Sequence, residues 1–145
     1  MEKIYFLIFV FCSSIQFSFA QPTSKYFENI SSAKNSFVKK EYKKSEQFYS
    51  IAFKSNGGKA YIEDRYNASR SSALAGIKNS AFVQLFKVVT LYDYINYSEI
   101  STDQAFNSLH NDKRWTQVDE KVKLNIAKSD GNLNKGLVFL LDSVY

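Results

Sequence analysis

At 145 residues the chain has room for one domain, and its single proline leaves few segments barred from helical structure. The net charge of +5 comes from dispersed lysines, so the sequence offers no nucleic-acid footprint, which would need cations clustered on one face. Phe and Tyr supply nearly all of the 17% aromatic content, enough large side chains to build the core of a small helical protein.

The first twenty residues have the pattern of a secretory signal peptide. Lys3 precedes an apolar run over residues 4–12, and the segment closes with the small residues Ser18 and Ala20. This pattern predicts cleavage between Ala20 and Gln21. Because the apolar run is far shorter than the ~20 residues that a bilayer requires, we expect no stable membrane anchor after cleavage.

Export also limits what the single cysteine can do. Cys12 lies inside the predicted signal peptide, so the exported chain would have no thiol for a disulfide, a metal ligand or a nucleophile. The low-cysteine composition, rich in Lys, Asn, Ser and Phe, favours a bacterial protein that is periplasmic, secreted or attached to the cell surface.

Apolar residues recur at helical spacing from Lys25 to about Lys39 and again from Tyr42 onwards. A polar break at residues 39–41 separates these two segments. Residues 55–58, with the sequence Ser-Asn-Gly-Gly, end the second helix because they tolerate positive φ. A second helical pair follows over residues 61–92 and is hinged at Gly76.

The two helical pairs correspond at an offset of 36 residues. The offset aligns small residues with small ones, and large residues with large or aliphatic ones: Ala33 with Ser69, Ser45 with Ala81, Tyr49 with Leu85, and Ala52 with Val88. Helix pairs repeated at a period near 34 are typical of helical-repeat solenoids.

Residues 62–95 resemble a tetratricopeptide repeat, and residues 26–59 resemble a weaker copy of it. The matching positions are the paired Leu-Gly site, the inter-helix turn, the small site and two apolar sites: Ala68-Ser69, Gly76, Ala81, Leu85 and Val88. Arg65 stands where the family usually has an aromatic residue. The resemblance implies an all-α protein of roughly six helices, built as a short solenoid of stacked helical hairpins with capping helices.

The segment from Ala105 to Trp115 predicts a structural cap over the open end of the second pair. It resembles the cap of many bacterial exported repeat proteins through five residues: Phe106, Leu109, Asp112, Arg114 and Trp115. We expect residues 101–103, with the sequence Ser-Thr-Asp, to cap a short helix that holds Ala105 and Phe106, and Asp112 to begin a helix that reaches about Lys128. The helical-repeat domain with its cap therefore spans residues 21–128.

Residues 129–132, with the sequence Ser-Asp-Gly-Asn, predict a break in the last helical segment. Residues 129–145 are therefore expected to form a linker and a trailing apolar helix. In proteins that resemble this one, such a helix opens a further domain. We accordingly expect the chain to be a fragment, or a truncated relative, of a longer protein that continues into a C-terminal domain.

Catalytic and metal-binding motifs are missing from the sequence. His110 is the only histidine, and no nucleophile elbow, phosphate-binding glycine loop or paired-cysteine motif occurs. We therefore expect no enzyme activity, no cofactor and no metal site.

The candidate binding residues lie on the predicted inner face, which the first helix of each pair would form. Lys34, Tyr66 and Arg70 together are suited to a peptide carboxylate or another anion, because arginine binds carboxylates with a two-pronged fork. The alternative is that the aromatic residues of this face belong to the core and that the cations are only solvated. The expected function is an exported module that mediates protein–protein interaction or scaffolding. The competing hypothesis is an N-terminal accessory domain of an enzyme whose catalytic part lies beyond Tyr145.

Overall fold

A computed structural model describes the backbone of residues 22–142 and the side chains of residues 22–132. Over this range the chain is helical and contains no strand, which confirms the all-α class. The predicted signal peptide, residues 1–20, lies outside the described residues. The elements are α1 (Ser24–Val38), α2 (Tyr42–Ser55), α3 (Ile62–Leu74), α4 (Lys78–Leu91), α5 (Tyr97–Thr102), a 3-10 helix (Gln104–Phe106) and α6 (Lys113–Asp142).

The first four helices form two hairpins that correspond closely. α1 packs against α2, α3 packs against α4, and α2 joins the hairpins by packing against α3. α4 begins 36 residues after α2, which is the offset found in the sequence. The eight residues of the four aligned pairs named above are each at most 1% exposed: Ala33, Ser45, Tyr49, Ala52, Ser69, Ala81, Leu85 and Val88.

The turns inside the two hairpins have the same geometry. Lys40 and Gly76, which the offset aligns, have φ angles of 60° and 75°. The next amide in each turn donates to a carbonyl five residues earlier, Glu41 to Ser36 at 2.9 Å and Ile77 to Ser72 at 2.8 Å. This is the 6→1 hydrogen bond of a Schellman motif, whose left-handed residue is most often glycine. The first turn forms although Lys40 has a Cβ that disfavours this conformation.

Small residues let three helices approach at one crossing. The Ser45 hydroxyl on α2 donates to the Ala33 carbonyl of α1 at 2.8 Å, and its oxygen lies 2.9 Å from the Ser71 hydroxyl oxygen on α3. Ser71 in turn donates to the Asn67 carbonyl one turn earlier at 2.9 Å. The buried hydroxyls thus find partners at the crossing, where their small side chains allow close contact between the helices.

The C-terminal elements pack against the second hairpin in a less regular form. The 3-10 helix packs against α3, while α6 packs against α4 and α5. α5 was not predicted from the sequence, because the apolar pattern after Tyr92 is weak. Its start is nevertheless encoded: the Asn96 side chain accepts from the Glu99 amide at 3.1 Å. Asparagine followed three residues later by glutamate is a recognised helix-start signal.

The expected break at residues 129–132 is wrong, because α6 is one helix of 30 residues from Lys113 to Asp142. Gly131 does not have a positive φ, and open space surrounds the position that its Cβ would occupy. A glycine inside a helix costs only about 1 kcal/mol relative to alanine, which the neighbouring turns can offset. Residues 129–132 are therefore helical, and they do not separate a linker from a trailing helix.

Gly131→Ala tests this continuity. If α6 runs through residue 131, alanine should stabilise the helix by up to about 1 kcal/mol. Amide hydrogen exchange near residues 128–135 should slow accordingly, while Gly76→Ala, at a positive φ, should destabilise the protein by about 1–2 kcal/mol. Faster exchange around residue 131 in the Gly131→Ala protein would mean that the chain turns there.

Candidate binding groove

A groove of about 480 Å³ lies between α3 and the segment that holds α5 and the 3-10 helix. Two tyrosines form part of its wall, and its charged residues are three carboxylates and one guanidinium. These six side chains are Tyr66, Tyr94, Glu63, Glu99, Asp103 and Arg70. Two of the three candidate binding residues, Tyr66 and Arg70, therefore line one groove.

Tyr66 links α3 to the C-terminal segment. Its side chain is 7% exposed, and its hydroxyl lies 3.1 Å from Asp103 Oδ2 and 3.2 Å from the Glu99 carbonyl oxygen. The ring stacks on Tyr94 at 6.0 Å and meets Phe106 edge-on at 5.6 Å. Burial, and then the charge of Asp103, raise the pKa of Tyr66. The phenol therefore stays protonated at neutral pH and acts as a donor.

Arg70 lies one turn beyond Tyr66 and faces the same carboxylate. Its Nε is 2.9 Å from Asp103 Oδ2, an ion pair in which the N–H is not aligned as a hydrogen bond. One terminal nitrogen donates to Asn67 Oδ1 at 3.2 Å, and the guanidinium carbon lies 4.9 Å from the centre of the Phe37 ring. Asp103 therefore already compensates the charge of Arg70.

Lys34 is at the edge of this arrangement and is not among the groove residues. Its Nζ lies 3.6 Å from Glu63 Oε1 and 3.6 Å from Asp64 Oδ1. Lys34, Tyr66 and Arg70 thus do not form one cluster of available positive charge. Each cation faces a carboxylate of its own chain, which weakens the case for an anionic ligand in this groove.

Two of the three acidic residues of the groove, Glu99 and Asp103, come from the C-terminal segment. Glu99 Oε2 accepts from Asn96 Nδ2 at 2.9 Å and from the Tyr94 hydroxyl, so its position is fixed. Asp103 accepts from the Ala105 amide at 2.9 Å, as expected for the cap of a short helix. The sequence interpretation missed both as groove residues because it placed no inner-face helix beyond Tyr92. The Asn96–Glu99 spacing was the available signal.

The expected cap residues lie at the junction of α4, the 3-10 helix and α6. Phe106 and Leu109 are fully buried in a core that also includes Phe82, Leu85, Val118 and Val122. Trp115 is partly buried against this core, with ring centres 6.0 Å from Phe106 and 4.3 Å from His110. The apolar cap residues therefore pack against the second hairpin and share one core with α4 and α6.

Asp112 and Arg114 fasten the start of α6. Asp112 Oδ1 accepts from the Arg114 amide at 3.1 Å and from Arg114 Nε at 2.9 Å. Asp112 Oδ2 accepts from a terminal guanidinium nitrogen of Arg114 at 2.7 Å. The hydrogen bonds from Arg114 hold the pKa of Asp112 well below its usual range. The same guanidinium lies 4.2 Å from the centre of the Phe82 ring and donates to Asn79 Oδ1 at 2.8 Å. Arg114 thereby ties α6 to α4.

Neither a metal-binding group nor a membrane span is found in the part of the chain that the structure describes. Within these residues no three His, Cys, Asp or Glu side chains are grouped so that they could hold a metal ion. Across the same range, each helix is too short or too polar to cross a bilayer.

Fold and groove together define an all-helical protein of packed hairpins with an acidic, tyrosine-lined groove. The chain matches no protein-family model, no curated protein and no solved structure.

Proposed function

We propose that this protein is an exported, tetratricopeptide-like module that mediates protein–protein interaction by binding a basic segment of its partner. The observation that carries the proposal is the groove beside Tyr66 and Tyr94, where the three carboxylates of Glu63, Glu99 and Asp103 outnumber two cations, Arg70 in the groove and Lys34 at its edge.

The equivalence of the two hairpins supports a tetratricopeptide-like arrangement. α2 and α4 begin 36 residues apart, and the left-handed residues Lys40 and Gly76 stand at the same step of their turns. In such an arrangement the 3-10 helix, which packs against α3, corresponds to the first helix of a third hairpin. α6, which packs against α4, corresponds to its second helix. The groove accordingly lies between consecutive first helices, which form the inner face of such arrays.

Charge and aromatic surface support a basic partner rather than a carboxylate. Lys34 and Arg70 already face Glu63, Asp64 and Asp103, so they offer little attraction to an added anion. A lysine or arginine side chain in the groove would gain attraction from the excess negative charge. It would also gain favourable contact with the ring of Tyr94, which is partly exposed.

Export belongs to the same proposal and rests on residues 1–20, whose apolar run and small terminal residues predict a signal peptide. A groove exposed to the periplasm or the medium would meet partners that are themselves exported or displayed on the cell surface.

Fluorescence anisotropy with two labelled peptides of equal length tests the groove. One peptide carries lysines and the other carries glutamates at the same positions. We expect the lysine peptide to bind more tightly than the glutamate peptide, and its affinity should fall as the salt concentration rises. Glu63→Gln should reduce its affinity about two- to fivefold, as expected for a partly exposed charge pair.

Glu120→Gln is the matched control, because Glu120 is exposed on α6 and is not a groove residue. It removes the same charge from the protein and should leave the affinity nearly unchanged. Equal binding of the two peptides, or equal losses in Glu63→Gln and Glu120→Gln, would rule out recognition of basic segments by this groove.

A further inference from the structure

A second groove, of about 300 Å³, lies between α2 and α4 with α3 at its base. Its α3 residues include Arg65, Ala68 and Ser72. Successive helical residues are rotated by about 100°, so these three lie on the side of α3 opposite to Tyr66 and Arg70. The two grooves are therefore separate.

Arg65 is a buried cation with only neutral partners. It is 3% exposed, and its guanidinium donates to Gln84 Oε1 at 2.9 Å, the Gly58 carbonyl at 2.5 Å and the Tyr92 hydroxyl at 3.4 Å. The ring of Phe53 lies 5.2 Å from the guanidinium carbon. Among the described residues, no carboxylate oxygen comes within 4.0 Å of it.

This arrangement leaves positive charge uncompensated. A guanidinium stays protonated and has N–H groups beyond the three that these bonds use. Burying a charge is unfavourable unless an opposite charge or a set of hydrogen bonds replaces water. The three neutral acceptors supply part of that replacement, and an anion would supply the rest.

A second cation lines the groove about one helical turn after Gln84, whose side chain accepts from Arg65. Lys87 on α4 also lines it, and it too has no carboxylate within 4.0 Å among the described side chains. The acidic lining residue is Glu46, which lies on α2 seven residues before Phe53. At about 1.5 Å of rise per residue, Glu46 is some 10 Å along the helix from the Arg65 end.

We propose that Arg65 and Lys87 form a subsite for an oxyanion, in the form of a carboxylate or a phosphate group. Arg65 would use its remaining N–H groups, and Lys87 would approach from the groove rim. Arginine's planar donors match the oxygen spacing of both groups, and a lysine beside it adds a second positive charge. Since the subsite lies on the other side of α3 from the tyrosine-lined groove, the proposal does not depend on recognition of a basic segment.

Nuclear magnetic resonance of the Arg65 Nε–H group tests the subsite in the whole chain. The signal is followed during separate titrations with sodium acetate, sodium phosphate and sodium chloride at constant ionic strength. A saturable shift with acetate assigns a carboxylate site, and one with phosphate alone assigns a phosphate site. Changes no larger than those with chloride would overturn the proposal.

Lys87→Gln avoids disturbing the buried arginine, whose replacement could unfold the protein. We expect this variant to bind the effective anion about two- to fivefold more weakly, the range measured for partly exposed charge pairs. Lys128→Gln removes the same charge from an exposed position on α6 outside the groove. Equal weakening in both variants would mean diffuse attraction to a basic protein and would also overturn the proposal.

Discussion

Replacing Phe106 by alanine is expected to lower the free energy of unfolding by about 3–5 kcal/mol. Phe106 is 0% exposed and lies among Tyr66, Trp115 and the core of α4 and α6. The variant loses the burial of a large ring and leaves a cavity that neighbours on three separate elements can only partly fill. Urea unfolding followed by far-ultraviolet circular dichroism measures the effect.

Phe27→Ala is the matched control for Phe106. Phe27 is 51% exposed on α1, where its ring meets Tyr26 edge-on at 5.3 Å, so its loss should cost less than about 1 kcal/mol. Similar small losses in the two variants would show that the 3-10 helix is not part of the cooperative core. The cap would then be a loosely docked segment.

Replacing Tyr26 by phenylalanine is expected to destabilise the protein by about 1.5–3 kcal/mol. The Tyr26 hydroxyl donates to Asp64 Oδ2 at 2.6 Å and accepts from the Tyr61 amide at 3.3 Å, so it joins α1 to the start of α3. Burial, and then the bond to Asp64, raise the pKa of Tyr26, so the donor persists at neutral pH. Its removal leaves a buried carboxylate with one hydrogen bond fewer.

Tyr61→Phe provides the control, because Tyr61 is exposed and its hydroxyl makes no hydrogen bond with the described residues. This substitution keeps the Tyr61 amide and should change stability by less than about 0.5 kcal/mol. If Tyr26→Phe were equally mild, the bond to Asp64 would add nothing to the docking of the two hairpins.

The helices that follow a regular apolar pattern were predictable to within a residue or two. Predicted helices starting at Lys25 and Tyr42 appear as Ser24–Val38 and Tyr42–Ser55, and Gly76 is the left-handed residue of its turn. These features depend on neighbours within about four positions along the chain, so the printed residues contain the required information. α5 was missed because its apolar pattern is too short to be distinctive.

The candidate site was predictable only in part. Tyr66 and Arg70 do share a groove, but Lys34 lies at its edge and pairs with Glu63 and Asp64. Whether a cation is available to a ligand depends on which carboxylate the fold places beside it. Asp103, which pairs with Arg70, is 33 residues further along the chain. No local sequence pattern indicates that the fold brings two residues so far apart in the chain into contact.

The sequence by itself determined the helical class, the repeat offset of 36 residues and the turn at Gly76, because periodicity, side-chain size and glycine's tolerance of positive φ act locally. The tertiary structure decided the continuity of α6, the acidic character of the tyrosine-lined groove and the burial of Arg65. The acidic groove and the burial of Arg65 depend on packing between elements that are distant in sequence. The continuity of α6 depends on the balance between Gly131, which weakly disfavours helix, and the helical turns around it. A single helix-breaking residue is worth only about 1 kcal/mol, which neighbouring turns can outweigh.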